Sequence, residues 1–120
     1  MCFIIFTQQQ KNKETKGFTT TNYKILTNKY KLLIADTPEK WEKGLMNFRK
    51  PVNFDGMMFI FPNKQVRTFW NKNTYMDLDI YWMEEGNIVG KTSLPSIEES
   101  GKVVTVNSEK EVDKAIEIIK

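Results

Sequence analysis

The residues best suited to chemistry lie in one stretch of the chain, from position 70 to position 79. We interpret this stretch as the end of a strand followed by a turn, because adjacent asparagine and threonine side chains can bond nearby backbone and stop a strand. A cation, carboxylates and polar side chains then gather beside aromatic rings, as in pockets for a sugar, a peptide or a small anion. The predicted ligand-binding residues are Trp70, Lys72, Asn73, Thr74, Asp77 and Asp79.

The same stretch also has a purely structural interpretation. Its tryptophan would belong to the core together with Trp82, and its polar side chains would lock the loop, because buried polar groups are nearly always hydrogen-bonded. The residues that would lock the loop are Asn73, Thr74 and Asp79. The sequence leaves both interpretations open.

Asp77 and Asp79 form the clearest pair of carboxylates. Side chains two positions apart share one face of an extended segment, so the pair could bind a divalent cation or act as acid and base. A cation would need more oxygen ligands, and elsewhere the chain offers Asp55 and the adjacent glutamates at 84 and 85. We therefore predict no metal site.

Asp79 also lies within the apolar run of residues 78–83, so we expect its carboxylate near the edge of the core. A carboxylate in that position must be paired, and Arg67 or Lys72 is the expected partner. Asp77 is expected on the open side of the loop, where its removal should be mild.

The composition narrows the possible functions. The chain has 120 residues, no histidine and one cysteine, Cys2, so imidazole bases, histidine-ligated metals and cysteine clusters are excluded. A net charge of +3 with two arginines does not favour nucleic acid, and no cofactor is predicted. No apolar run approaches the roughly 20 residues that span a bilayer, so no transmembrane segment is expected. We expect a soluble protein, cytoplasmic or, if an anchor is encoded upstream of Met1, exported.

Alternating and helical patterns divide the chain into a flexible arm, residues 1–17, and one globular domain, residues 18–120. A short helix is predicted after Thr37 and Pro38, and Ser108 with Glu111 resembles a capping box before a C-terminal helix. The apolar stripe of that second helix would be Val112, Ala115, Ile116 and Ile119. Strands are predicted at 22–26, 30–35, 57–61, 66–70, 78–83, 88–92 and 103–106, with a break at 62–64. The expected class is α+β, with a mostly antiparallel, small curled sheet that is barrel- or sandwich-like.

Three segments in order resemble one known family. They are a helix end, a strand and the block at 69–79, which read GLM at 44–46, GMMFIF at 56–61, and FWNKNT at 69–74 followed by LD at 78–79. The chain thereby resembles, over about residues 30–106, the uncharacterised domain-of-unknown-function 192 family. Asn71 stands where that family usually has methionine, and the C-terminal end departs from its pattern.

The resemblance implies a compact, mostly β fold, often found in prokaryotic proteins with an N-terminal export or anchor segment. It supplies no activity and no catalytic residue. Two functions follow from the residues themselves. The first is an accessory domain that binds a small molecule, sugar, peptide or partner at 70–79. The second is a histidine-free, hydrolase-like enzyme that uses Asp77, Asp79 and Lys72.

Overall fold

The computed structural model describes residue 15 and residues 17–120. The predicted arm at residues 1–17 lies outside this part of the chain, apart from positions 15 and 17. Two short helices lie between strands, α1 (Pro38–Lys43) and α2 (Ile97–Ser100). The strands are β1 (Thr20–Ile25), β2 (Asn28–Ala35), β3 (Gly56–Gln65), β4 (Thr68–Trp70), β5 (Leu78–Glu84), β6 (Asn87–Leu94), β7 (Thr105–Asn107) and β8 (Val112–Ile119).

Six strands form one mixed sheet in the order β1-β2-β3-β8-β5-β6, and β4 pairs with β7 in a separate small sheet. The pair β2–β3 is parallel and its connection contains α1, whereas the other pairs are antiparallel. The large sheet is curled, since Tyr23 Oη on β1 lies 4.0 Å from Met83 Sδ on β5, across three intervening strands. It is not closed. The prediction of a mostly β, α+β domain is therefore confirmed, and a closed barrel is not what forms.

The C-terminal helix predicted from Ser108 and Glu111 is wrong. Residues 112–119 form β8, which lies between β3 and β5 in the middle of the large sheet. Both faces of this strand are covered, so its sequence does not alternate and its apolar residues also fit a helical stripe. The isoleucine-rich composition favours a strand, and pairing with β3 and β5 settles the choice.

The first helix is confirmed, although it is only six residues long. Thr37 Oγ1 accepts a hydrogen bond from the Lys40 amide at 3.3 Å, and Pro38 occupies the first helical position. The helix ends at Gly44, which has φ of 48°, a conformation that glycine adopts readily. The Trp41 indole N–H lies 3.0 Å from the Ala35 carbonyl and 3.1 Å from the Ile60 carbonyl, so it ties α1 to β2 and β3.

The predicted break at residues 62–64 does not end β3, which continues to Gln65. The pairing of β3 with β8 shifts register between Ile60 and Gln65. Pro62 lies in that irregular part, where a missing backbone N–H removes no regular ladder bond. The extension carries the chain out to the β4 strand, which then folds back over the sheet.

The large sheet has two buried faces. One face, which we call the aromatic face, carries the side chains of Phe59, Phe61, Ile80, Trp82 and Ala115. Phe69 of β4 and Trp41 of α1 pack against this aromatic face, so both small elements lie over it. The opposite face carries a second cluster formed by Ile25, Leu32, Met58, Met83, Ile116 and Ile118.

Candidate functional site

A cavity of about 480 Å³ lies on the aromatic face, between α1 and the segment that leads from β3 into β4. Alternation along β3 turns Phe59 and Phe61 toward it, and the same alternation on β4 turns Phe69 inward. The ring centres of Phe59 and Phe69 are 4.8 Å apart, and those of Trp41 and Phe61 are 5.4 Å apart. Large, flat aromatic rings therefore form much of the wall of this aromatic cavity, and charged and polar side chains form the rest.

Glu117 is a buried carboxyl that lines the aromatic cavity. Its neighbours on β8, Ile116 and Ile118, belong to the opposite face, so alternation places Glu117 on the aromatic face. The residue is 5% exposed, and within the described part of the chain its Oε1 has no hydrogen-bond partner. Burial raises the pKa of the Glu117 carboxyl from 4.5 to about 8. The group is therefore mainly neutral at pH 7 and can both donate and accept a hydrogen bond.

Arg67 lines the same cavity from the segment between β3 and β4. Its guanidinium carbon lies 4.1 Å from the centre of the Phe61 ring, and Nη2 donates to the carbonyl and side-chain oxygens of Asn63 at 2.7 and 2.8 Å. Its Nε is buried and, among the described residues, meets no acceptor, and Arg67 forms no salt bridge there. Burial lowers the pKa of Arg67 from its usual value.

The predicted stretch 70–79 contributes two residues to the aromatic cavity, Trp70 and Thr74. Trp70 is 46% exposed, so the interpretation of it as core is wrong, whereas Trp82 is buried. Thr74 is buried, and its hydroxyl donates to the Lys72 carbonyl at 3.2 Å. The Lys72 ammonium lies outside the cavity wall, 5.2 Å from the centre of the Trp70 ring. Asn73 turns the chain with φ of 52°, and its carbonyl accepts from the Asn47 amide.

The two aspartates have partners other than those predicted. Asp79 points to the face opposite the aromatic cavity, where it accepts from the Ser93 hydroxyl at 3.0 Å and lies 3.4 Å from the Lys120 ammonium and 3.9 Å from that of Lys91. Its expected pairing with Arg67 or Lys72 is therefore wrong. Asp77 is not on an open loop, since its Oδ1 accepts from the Ser96 backbone N–H at 2.8 Å. The two carboxylates thus bind different partners and do not form a shared site.

Asn71 is the most connected polar side chain near the site, and sequence reasoning gave it no role. It is fully buried. Its amide nitrogen donates to the Pro95 carbonyl and the Ser100 hydroxyl at 2.9 and 3.0 Å, and its Oδ1 accepts from the Val104 amide at 2.7 Å. One side chain thus joins the end of β4 to α2 and to the segment before β7. A polar residue where the family usually has methionine was the signal that could have revealed it.

Glu117 and Arg67 were also missed as site residues. On the predicted helix, Glu117 would lie off the apolar stripe, so nothing marked it as buried. The one signal was a single charge inside the otherwise apolar run of residues 115–119. In a central strand such a charge must face a buried layer, and here it faces the aromatic cavity.

The described residues contain neither a candidate metal-binding cluster nor a candidate membrane-spanning helix. Across residue 15 and residues 17–120, no three acidic or cysteine side chains are grouped so that they could hold a metal ion. Within the same part of the chain, no helix has the length and apolar character needed to cross a membrane.

Comparison with known proteins gives a family and a fold. The model of the DUF192 family, described as "Uncharacterized ACR, COG1430", matches residues 19–120. No match is found among curated proteins. A solved structure from Sinorhizobium meliloti 1021, described as a "putative transcription regulator", superposes with a TM-score of 0.64 at 24% identity, over 85% of this chain and 79% of that one.

A second solved structure, a protein of unknown function from Novosphingobium aromaticivorans DSM 12444, superposes with a TM-score of 0.61 at 16% identity. The similarity covers 88% of this chain and 84% of that one. Identities this low show a shared fold and carry no activity across.

Proposed function

This chain belongs to the DUF192 family, and we propose that it is an accessory domain that binds a small molecule in the aromatic cavity. The observation that carries the proposal is the Glu117 carboxyl, which is buried against that cavity and whose Oε1 has no hydrogen-bond partner among the described residues. Leaving such a group without a hydrogen bond costs on the order of 1–3 kcal/mol. A ligand that hydrogen-bonds to Glu117 would recover that energy.

The shape of the cavity supports the same function. Its volume of about 480 Å³ is within the range of small-molecule sites, and aromatic rings beside convergent polar groups are typical of them. Aromatic rings from α1, β3 and β4 would cover the body of the ligand, and Glu117 would fix its orientation. Trp70 and Thr74, both predicted from sequence, form part of the wall.

The remaining residues of the stretch 70–79 would support this site in different ways. Lys72 lies over the exposed Trp70 ring and would contact the part of a ligand that protrudes. Asn73 shapes the turn that carries Thr74. The carboxylates of Asp77 and Asp79 are engaged elsewhere, so we favour binding over hydrolysis by those residues with Lys72. A nucleic-acid partner is not favoured, because the net charge is +3 and the chain has two arginines.

The proposal is tested by screening a small-molecule fragment library against the full chain by NMR. Hits are expected to shift the amide signals of Phe69, Trp70 and Glu117. The variant Trp70→Ala should weaken the hits by about tenfold, since an aromatic wall contributes on the order of 1 kcal/mol or more. Ile88→Ala is the matched control, because Ile88 is 44% exposed and does not line the cavity.

Two results would contradict a binding site here. One is a library in which all hits shift signals distant from the aromatic cavity. The other is equal weakening by Trp70→Ala and Ile88→Ala. Glu117→Gln adds a separate readout, since it keeps a hydrogen-bonding side chain of similar size and should retain binding of neutral fragments.

A further inference from the structure

We infer that the ligand of the aromatic cavity is a small organic carboxylate with an apolar body, held by its carboxylate against Arg67. This inference rests on the proposed function and adds the chemical class of the ligand. Its basis is that Arg67 and Glu117 line one aromatic cavity and that each has a buried atom without a partner among the described residues.

Arg67 is the residue of the cavity that favours an anionic ligand. Two hydrogen bonds from Nη2 to Asn63 and the Phe61 ring beneath it fix the guanidinium plane. Within the described part of the chain, the buried Nε–H has no acceptor and no carboxylate is in ion-pair contact with this side chain. Arg67 is half-buried, and a buried N–H without an acceptor is unfavourable. A carboxylate can accept hydrogen bonds from a guanidinium in a charge-assisted pair.

Glu117 does not supply that missing charge. Burial raises its pKa to about 8, so at pH 7 it contributes a neutral O–H and carbonyl to the cavity. The adjoining strands present Met57 and Ile80 opposite Glu117, and the charged groups that line the cavity with it are Glu42, Lys43 and Arg67. With Glu117 neutral, the lining carries an excess of positive charge. An anionic ligand would balance it.

The rest of the cavity selects the body of the ligand. Its walls are the aromatic rings of Trp41, Phe59, Phe61, Phe69 and Trp70. Flat apolar rings stack well against aromatic rings. An aryl or indolyl carboxylate would therefore satisfy both parts of the cavity, with Glu117 hydrogen-bonded to a polar substituent or to the second carboxylate oxygen.

The experiment titrates the full chain with three carboxylates, benzoate, phenylacetate and indole-3-acetate, and follows amide shifts by NMR. The corresponding primary amides and amines serve as neutral and cationic controls. We expect the carboxylates to shift signals of the cavity and to bind at least about tenfold more tightly than their amides, as a charge-assisted hydrogen bond requires.

Two variants test the assigned anchor. Arg67→Gln should weaken the carboxylates by about tenfold and leave the amides unchanged. The matched control is Arg49→Gln, since Arg49 also stacks on an aromatic ring and pairs with Glu98 but does not line the aromatic cavity. It should change no affinity by more than about twofold. Thermal unfolding of each variant verifies that the fold is kept.

A rise in pH provides an independent readout. Above about pH 8 the Glu117 carboxylate would repel the ligand, so carboxylate affinity should fall in the natural chain and not in Glu117→Gln. Tighter binding of the amines than of the carboxylates, or equal carboxylate binding by Arg67→Gln, would overturn the ligand class while leaving a binding cavity. If carboxylates, amides and amines all leave the cavity signals unshifted, and the fragment screen also gives no hit at the cavity, both the ligand class and the proposed function are contradicted.

Discussion

The backbone of Gly56 on β3 passes so close to β8 that a β-carbon at position 56 would lie 1.9 Å from the carbonyl oxygen of Glu117. Only a residue without a side chain permits this approach. The contact determines how closely β3 and β8 pair, and β8 carries the carboxyl that lines the aromatic cavity. A glycine in the family-like segment GMMFIF thus positions a residue sixty-one places further along the chain.

Gly56→Ala should therefore be strongly destabilising. The new methyl group would overlap a backbone atom, which cannot move aside as a flexible side chain can. We expect a loss of about 3 kcal/mol or more in the free energy of unfolding, measured by urea denaturation. Gly90→Ala is the control, because its β-carbon would meet the Trp82 ring at an ordinary 3.4 Å. Comparable losses in the two variants would contradict the close approach.

Asn71→Leu should destabilise the protein by about 1–3 kcal/mol, because it removes the hydrogen-bond partner of two half-buried backbone groups. Those groups are the Pro95 carbonyl and the Val104 amide, whereas the Ser100 hydroxyl keeps the Ser96 and Lys102 carbonyls as partners. Chemical denaturation measures the loss. Asn53→Ala should be nearly neutral, since Asn53 is exposed. A stable Asn71→Leu protein would show that an apolar side chain serves equally well at this position.

The two aspartates should differ in the order opposite to the one expected from sequence. Asp77→Ala leaves the amide of the buried residue Ser96 without its acceptor and should cost about 1–2 kcal/mol. Asp79→Ala removes a hydroxyl contact and two ion pairs whose lysines are half exposed, and should cost less than about 1 kcal/mol. Thermal and urea unfolding of both variants decide the order. A larger loss for Asp79→Ala would restore the original expectation.

Stability should depend on pH through Glu117. Its pKa is raised in the folded state, so between about 4.5 and 8 the folded chain binds more protons than the unfolded chain. The contribution of this group is therefore fully present below about pH 4.5, falls as pH rises, and levels off above about pH 8. Unfolding free energies measured from pH 5 to 9 should fall by a few kcal/mol.

Glu117→Gln should remove this decline, whereas the exposed Glu111→Gln should retain it. Parallel pH profiles of the natural chain and Glu117→Gln would mean that the Glu117 carboxyl titrates normally. In that case water or a mobile neighbour would have to solvate it.

The sequence by itself determined those elements that depend on interactions between residues close together in the chain. Thr37 and Pro38 start α1 because a capping hydroxyl and a fixed φ act within one turn. The β5–β6 hairpin forms at Glu85 and Gly86, whose φ angles of 49° and 82° are typical of a tight two-residue turn. The family resemblance indicated a mostly β fold, and the family match confirms the membership.

The tertiary structure alone decided the identity of β8 and the composition of the site. The apolar residues of 112–119 fit a helical stripe and do not alternate, so only pairing with β3 and β5 could select the strand. That pairing turned Glu117 into the aromatic cavity and sent Asp79 to the opposite face. Trp70 and Thr74 could be predicted because both lie in the stretch 70–79, whereas Arg67 and Glu117 are separated by fifty residues. The order of the strands in the sheet brings such distant residues together, and a short sequence pattern does not specify that order.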